Sequence, residues 1–179
     1  MHHISGHIAA NYIAHSDLKP PYLCLVASGG HSHIVEVLDY TKFHVVGRTR
    51  DDAAGECFDK CARAMGFPYP GGVHIDKASV SGNKDAYELP RPKVTGSEFD
   101  FSFSGLKTAV INLLHNSQQK GIEINKNDLS AGIQYTISDI LCEKTMAAAE
   151  MLGYKTIAVA GGVSANSGVR AAFEKACAE

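Results

Sequence analysis

Two apolar runs that each break into a glycine pair constrain this chain most. Residues 22–27 lead into Ser28-Gly29-Gly30, and residues 156–160 lead into Gly161-Gly162. A short uninterrupted apolar run is the pattern of a strand buried on both faces. Glycines just past such a strand let the backbone approach an anion closely and aim successive N–H groups at it. Either pair alone is also what a plain tight turn requires. The two together, one with Ser28 beside it, point to a nucleotide cleft in an α/β protein. Neither pair matches the P-loop or the dinucleotide fingerprint.

The rest of the chain supplies a sheet and its cover. Residues 33–38 and 43–49 are rich in β-branched and aromatic side chains, and Asp39-Tyr40-Thr41-Lys42 between them suits a hairpin, so a meander opens the sheet. Over residues 51–66 the period changes. Ala54, Cys57, Phe58, Cys61 and Met65 recur at three and four, with Asp52, Glu56, Asp59 and Arg63 opposite, which predicts an amphipathic helix stopped by Gly66 and Pro68. Residues 67–100 are rich in proline and glycine and read as an irregular insertion or cap. Helices are expected over 2–14, 102–115 and 129–152. The last carries Ile133, Ile137, Ile140, Leu141, Ala148, Met151 and Leu152 on one stripe. A strand over 156–160 and a final helix after Val163-Ser164-Ala165-Asn166 complete the order.

Composition narrows the class further. With 179 residues, 45% hydrophobic and 20% charged, the chain can bury one core, and a net charge of -2 requires any nucleic-acid contact to come from a local patch or a partner. The cysteines, Cys24, Cys57, Cys61, Cys142 and Cys177, are odd in number and scattered through apolar segments, as expected of reduced thiols in a cytoplasmic protein. Cys57 and Cys61 share a helix face, but no second soft-ligand pair accompanies them to build a zinc site. No apolar run reaches the length of a membrane span, and Met1-His2-His3 does not have the pattern of a signal peptide.

His3 and His7 stand four apart, so on a helix their imidazoles project from one face and can clamp a metal ion, with a further ligand needed from elsewhere. A zincin peptidase would carry glutamate where Ile4 follows His3. Asp52, Glu56 and Asp59 share one polar helix face. That pattern fits a solvated surface favoured by the helix dipole, and equally an Asp59 that hydrogen-bonds a ribose or aminoacyl group at the cleft.

Read in order, the stretches His2-His3-Ile4-Ser5-Gly6-His7, Leu25-Val26-Ala27-Ser28-Gly29-Gly30-His31, Asp51-Asp52-Ala53-Ala54-Gly55-Glu56 through Phe58-Asp59-Lys60, Tyr69-Pro70-Gly71-Gly72, Phe101-Ser102-Phe103-Ser104-Gly105-Leu106-Lys107 and Ala160-Gly161-Gly162-Val163-Ser164-Ala165-Asn166 resemble the tRNA N6-adenosine threonylcarbamoyltransferase family. The resemblance covers essentially the whole chain and implies the actin/Hsp70/sugar-kinase fold, an α/β class. It implies transfer of a threonylcarbamoyl group from threonylcarbamoyl-adenylate to N6 of the tRNA adenosine next to the anticodon. It implies that His3 and His7 bind one divalent metal, iron or zinc. Val26, Ala27, Ser28, Gly29, Gly30, Asp59, Gly72, Asp76 and Asn166 would line the adenylate site. Accessory proteins of the same modification, a partner paralogue and an ATPase, are implied as well.

Family members carry glutamate where Ser5 stands, a whole lobe before the histidine helix, and an aspartate metal ligand after the Gly-Gly-Val-Ser-Ala-Asn motif. The chain is therefore expected to be a middle fragment, mainly the C-terminal lobe and inactive by itself. Residues 1–20 would be a metal-binding helix segment and 21–179 the partial lobe. The competing readings are a kinase-like phosphotransferase of the same fold and a non-catalytic dimerising partner.

Overall fold

β1 (Tyr22–Ala27) is buried at every residue, because it has a strand on each side and helices over both faces. In the computed structural model, which describes residues 3–178, β2 (Ser32–Asp39) pairs with β1 antiparallel, and β3 (Lys42–Arg48) pairs with β2 antiparallel. β4 (Ile157–Ala160) pairs with the other side of β1 in parallel, giving the order β3-β2-β1-β4. The meander and the late strand are as the sequence predicts. Because β1 and β4 run parallel with Val26 opposite Ala160, the two glycine turns leave the sheet side by side.

Alternation along β1 divides the core. Leu23, Leu25 and Ala27 join the larger cluster with Cys57, Phe58, Leu106, Leu129 and Ile133. Tyr22, Cys24 and Val26 face the other way onto Ile8 of α1 (His3–Ala14), with Val35 and Val37 of β2. The leucines and valine among them contribute about 1.5–3 kcal/mol each on burial, so this strand anchors both layers. Residue 2, where the first helix was expected to begin, lies outside the described residues.

α2 (Ala54–Ala64) is the predicted amphipathic helix, with Cys57, Phe58 and Cys61 buried. The segment 67–100 departs from expectation, since it contains a helix, α3 (Gly71–Ser79). Only Gly71 and Ile75 of α3 are buried, so no apolar stripe announces it, and its packing against α2 and α5 decides its conformation. α4 (Ser104–Lys120) runs a turn beyond the expected end because its last turn is polar and stops only at Gly121, in the left-handed region at φ 66°. α5 (Lys126–Leu152) begins earlier than expected. The Asn125 side chain accepts from the amides of Asn127 at 2.9 Å and Asp128 at 3.3 Å, a cap that lengthens the helix ahead of its apolar run. Met151 and Leu152 overrun the core and are exposed, whereas Ile133, Ile137, Ile140, Leu141 and Ala148 are buried as predicted. A 3₁₀ turn, Gly162–Ala165, leads into α6 (Ser167–Ala178). Among the described residues no helix is long and apolar enough to cross a membrane.

Candidate functional site

The two glycine turns are built against each other. Gly161 has φ +93°, and a Cβ there would lie 2.2 Å from the Ala27 carbonyl oxygen, so only glycine lets β4 leave the sheet this close to β1. The first turn is closed on itself: the Ser28 amide donates to the His31 carbonyl at 2.7 Å, and the Ser28 Oγ accepts from the His31 amide at 3.1 Å. It is also pinned to the start of α2. The Gly55 amide donates to the Ser28 carbonyl at 3.1 Å, and the Ala54 amide to the Ser32 Oγ at 2.9 Å. Gly29 and Gly30, by contrast, are exposed and face open space. Their peptide groups are the accessible part of the loop.

Beside these turns opens a cleft of about 420 Å³ between α2, α3 and the Gly162–Ala165 turn. Gly29, Asp59, Gly72, Asp76 and Asn166 line it, together with Gly55, Phe58, Tyr69, Lys77 and Val163. The acids and the amide in it have defined partners. Asp59 Oδ1 accepts from the Gly71 amide at 2.8 Å and so caps α3. Asp76 accepts from both the amide (3.0 Å) and the hydroxyl of Ser167, tying α3 to the start of α6. Asn166 accepts from the Val169 amide at 3.1 Å and donates to Gln134 Oε1 at 2.8 Å, and Gln134 in turn donates to Ser79 Oγ at 2.8 Å. This bonding fixes the width of the cleft. Val26 and Ala27 lie fully buried in β1, with their side chains in the two cores, so they reach the cleft only through backbone.

His3 and His7 project from α1 one turn apart. The His3 ring stacks on His31 with centroids 5.9 Å apart, and His31 lies 5.7 Å from His33. His33 Nδ1 is buried with no hydrogen-bond partner in the structure. Burial pushes the His33 imidazole below its ordinary pKa, and the charges of His31 and Arg48 push the same way. Among the described residues no three histidine, cysteine, aspartate or glutamate side chains converge at metal-binding distance. Sequence reasoning missed His31 and His33 as neighbours of the clamp. The Gly30-His31-Ser32-His33 alternation, which puts both imidazoles on one side of an extended segment, was the available signal.

It also missed the work of Asp51 and Asp52. Asp51 accepts from the amides of Phe103 (2.8 Å) and Ser104 (3.2 Å) and from the hydroxyls of Ser102 (2.6 Å) and Ser104 (2.8 Å), which caps α4. Burial pushes its carboxyl up, but the bonds from Ser102, Phe103 and Ser104 outweigh that and hold it below the usual range. Asp52 pairs with Lys107 at 2.7 Å and Lys60 at 2.9 Å. These ion pairs overcome its burial and hold it low too. The Phe-Ser-Phe-Ser-Gly-Leu-Lys stretch therefore locks α4 onto the start of α2.

Known proteins resemble this chain in sequence and in fold. The family profile described as tRNA N6-adenosine threonylcarbamoyltransferase matches residues 1–179. A protein of that name from Clostridium botulinum (strain Hall) is 51% identical over 177 residues, covering 99% of this chain and 52% of the relative. One from Clostridioides difficile (strain 630) is 49% identical, covering 96% and 51%. One from Clostridium beijerinckii is 53% identical, covering 95% and 50%. The chain spans about half the length of the curated relatives it matches. Among solved structures, component A of the Acidaminococcus fermentans (R)-2-hydroxyglutaryl-CoA dehydratase superposes with a TM-score of 0.58 at 18% identity, over 99% of this chain and 60% of that one. The activator of the 2-hydroxyisocaproyl-CoA dehydratase from Clostridium difficile, with bound ADPNP, gives 0.52 at 15%, over 90% and 53%. At those identities the likeness shows the fold alone, and that fold is the expected actin/Hsp70/sugar-kinase type.

Proposed function

The chain belongs to the tRNA N6-adenosine threonylcarbamoyltransferase family, and we propose that it contributes the adenylate-facing part of an enzyme that moves the threonylcarbamoyl group from threonylcarbamoyl-adenylate to N6 of the tRNA adenosine beside the anticodon. The observation that carries this reading is the side-by-side exit of two glycine turns from parallel strands onto one cleft. Crevices outside the carboxyl ends of parallel strands are where α/β folds bind nucleotides. The open peptide groups of Gly29 and Gly30 would hold the adenylate phosphate, as backbone amides do for anions.

The ribose and base would lie toward Asp59 and Gly72, between α2 and α3. Asp59 Oδ2 is the carboxylate oxygen there that does not serve as the α3 cap. Asp76 and Asn166 would act by holding the far wall in place, since their polar atoms are committed to Ser167, Val169 and Gln134. Val26, Ala27 and Ser28 would position the loop. Adenylate is a good leaving group, so no covalent nucleophile is required, and preorganised amides on the phosphate favour its departure.

His3 and His7 share a face of α1, and His3 stacks on His31, which neighbours His33 with its unpartnered nitrogen; imidazoles of this kind suit a divalent transition metal, iron or zinc. His3 and His7 would hold it, and its chemistry when bound is polarisation of the carbamoyl carbonyl. The tRNA, a partner paralogue and an ATPase are the proposed partners, and the cytoplasm the proposed location.

The test joins this chain to the remaining segments of the Clostridium botulinum relative and follows labelled threonine onto unmodified tRNA, with ATP, bicarbonate and the adenylate-forming enzyme supplied. Transfer by the joined protein and none by the chain alone is expected. A joined protein that folds and binds nucleotide but transfers nothing would overturn the reading.

A further inference from the structure

A second groove, of about 520 Å³, adjoins the adenylate cleft and shares Gly29, Asp59 and Tyr69 with it. Tyr69 stands on the divide between them with its side chain in solvent, 84% exposed. A ring that open, at the rim of a groove, is accessible for a planar ligand to stack on. The groove wall continues through Phe67, which stacks on His74 at 6.1 Å and carries the Lys126 ammonium 5.5 Å above its ring.

The charges here are arranged unequally. Glu56 is neutralised by Lys60 at 2.7 Å, and Asp59 Oδ1 is held by the Gly71 amide. Arg63 and Lys126 are exposed, and neither has a carboxylate within ion-pair distance among the described residues. The result is a groove with Phe67 in its wall, Tyr69 on its rim and two cations without carboxylate partners, Arg63 in the lining and Lys126 over the Phe67 ring, on a chain whose net charge is -2. Proteins that hold single-stranded nucleic acid use this combination, with bases stacked on aromatic rings and phosphates tracked by cations.

We propose that this groove holds unpaired RNA, with Tyr69 stacking on a base next to the adenylate cleft and Arg63 and Lys126 reaching the flanking phosphates. The inference rests on the proposed function, which makes tRNA the acceptor. It adds the surface of this chain that receives the acceptor's loop.

The experiment measures binding of two probes at low salt: a fluorescent anticodon stem-loop RNA and a non-hydrolysable adenylate analogue. Tyr69→Ala is expected to weaken the stem-loop about tenfold, within the range for loss of one base stack. Tyr69→Phe should restore it, and Tyr135→Ala, which removes an exposed tyrosine on α5, should leave it unchanged. Arg63→Gln should lower the slope of log affinity against log salt by about 0.7, one phosphate contact to a single strand. Adenylate binding should survive Arg63→Gln and Tyr135→Ala, neither of which removes a side chain that lines the adenylate cleft. If the unaltered chain binds the stem-loop and Tyr69→Ala binds it equally well, the inference fails while the proposed function stands. If the chain binds the analogue but no RNA, or captures a protein or peptide at Tyr69 in place of RNA, the inference fails in the same way. Binding of neither probe by the chain joined to the remaining segments of its relative overturns both.

Discussion

Replacing Gly161 by alanine tests the central geometric claim, that the two glycine turns touch. A Cβ at this position would sit 2.2 Å from the Ala27 carbonyl oxygen and 2.8 Å from its carbon. Reaching ordinary contact requires β1 and β4 to separate by about 1 Å at their paired ends, against a close-packed interior. Overpacking of that kind costs about 1–3 kcal/mol. With φ +93° and ψ 169°, Gly161 also occupies a backbone region essentially reserved for glycine, which adds about 1–3 kcal/mol for a side chain that must adopt it. Gly161→Ala should therefore lose about 2–6 kcal/mol in urea unfolding. Gly153 is the control: it too has positive φ, +75°, but a Cβ there meets nothing within 4 Å, so Gly153→Ala should lose only the conformational part, about 1–2 kcal/mol. The same pair read by adenylate-analogue binding should differ by about tenfold, because only Gly161 shapes the cleft. Equal unfolding costs for the two variants would refute the clash, and with it the reading that the turns are mutually fitted.

Other changes test separate parts of the structure. Asp51→Ala removes the cap of α4 and its hydroxyl partners and should cost about 2 kcal/mol, with Asp51→Asn closer to the native chain; chemical denaturation measures both. Asp51 and Asp52 have carboxyls held below their unfolded values, so the stability they contribute is present above about pH 4 and is lost as pH falls through their lower folded values. The double replacement by alanine should flatten the acid limb of stability against pH, and an unchanged limb would contradict the assignment. Asn166→Ala leaves Gln134 without its partner and α6 without its cap, and a loss of about 2–3 kcal/mol is expected by thermal unfolding. His3→Ala with His7→Ala should abolish binding of a divalent metal by calorimetry while leaving the circular dichroism spectrum intact, since neither side chain is in the core.

The sheet was legible because its signals are local. The unbroken apolar run of β1, the β-branched content of β2 and the change of period at α2 are each signals carried within a few neighbouring residues. α3 was not, because its nine residues bury only Gly71 and Ile75, and its stability comes from Asp59 and from α5, both remote in sequence. The candidate site divides the same way. Glycine pairs after strands could be read directly, and a resemblance supplied Asp59, Gly72, Asp76 and Asn166. That Asp76 and Asn166 spend their polar atoms on α6 and α5 needed coordinates, as did the approach of His31, in the turn before β2, to His3 on α1. Spacing gives the face of a helix and not what lies opposite it.

The cleft would bind its ligand largely through backbone. Its side-chain polar groups are mostly engaged with the protein, and its free groups are mostly peptide N–H groups on an open loop. Recognition by backbone amides presents donors whose positions are set by strand pairing and does not depend on rotamers that must be ordered on binding. The entropy of arranging the anion site is then met when the sheet folds, before any ligand arrives. On the proposed reading, the register of Val26 with Ala160 would govern the site more than any single side chain. Changes that shift this register, even from the Ile8 face of the sheet, should weaken adenylate binding without touching a residue that lines the cleft.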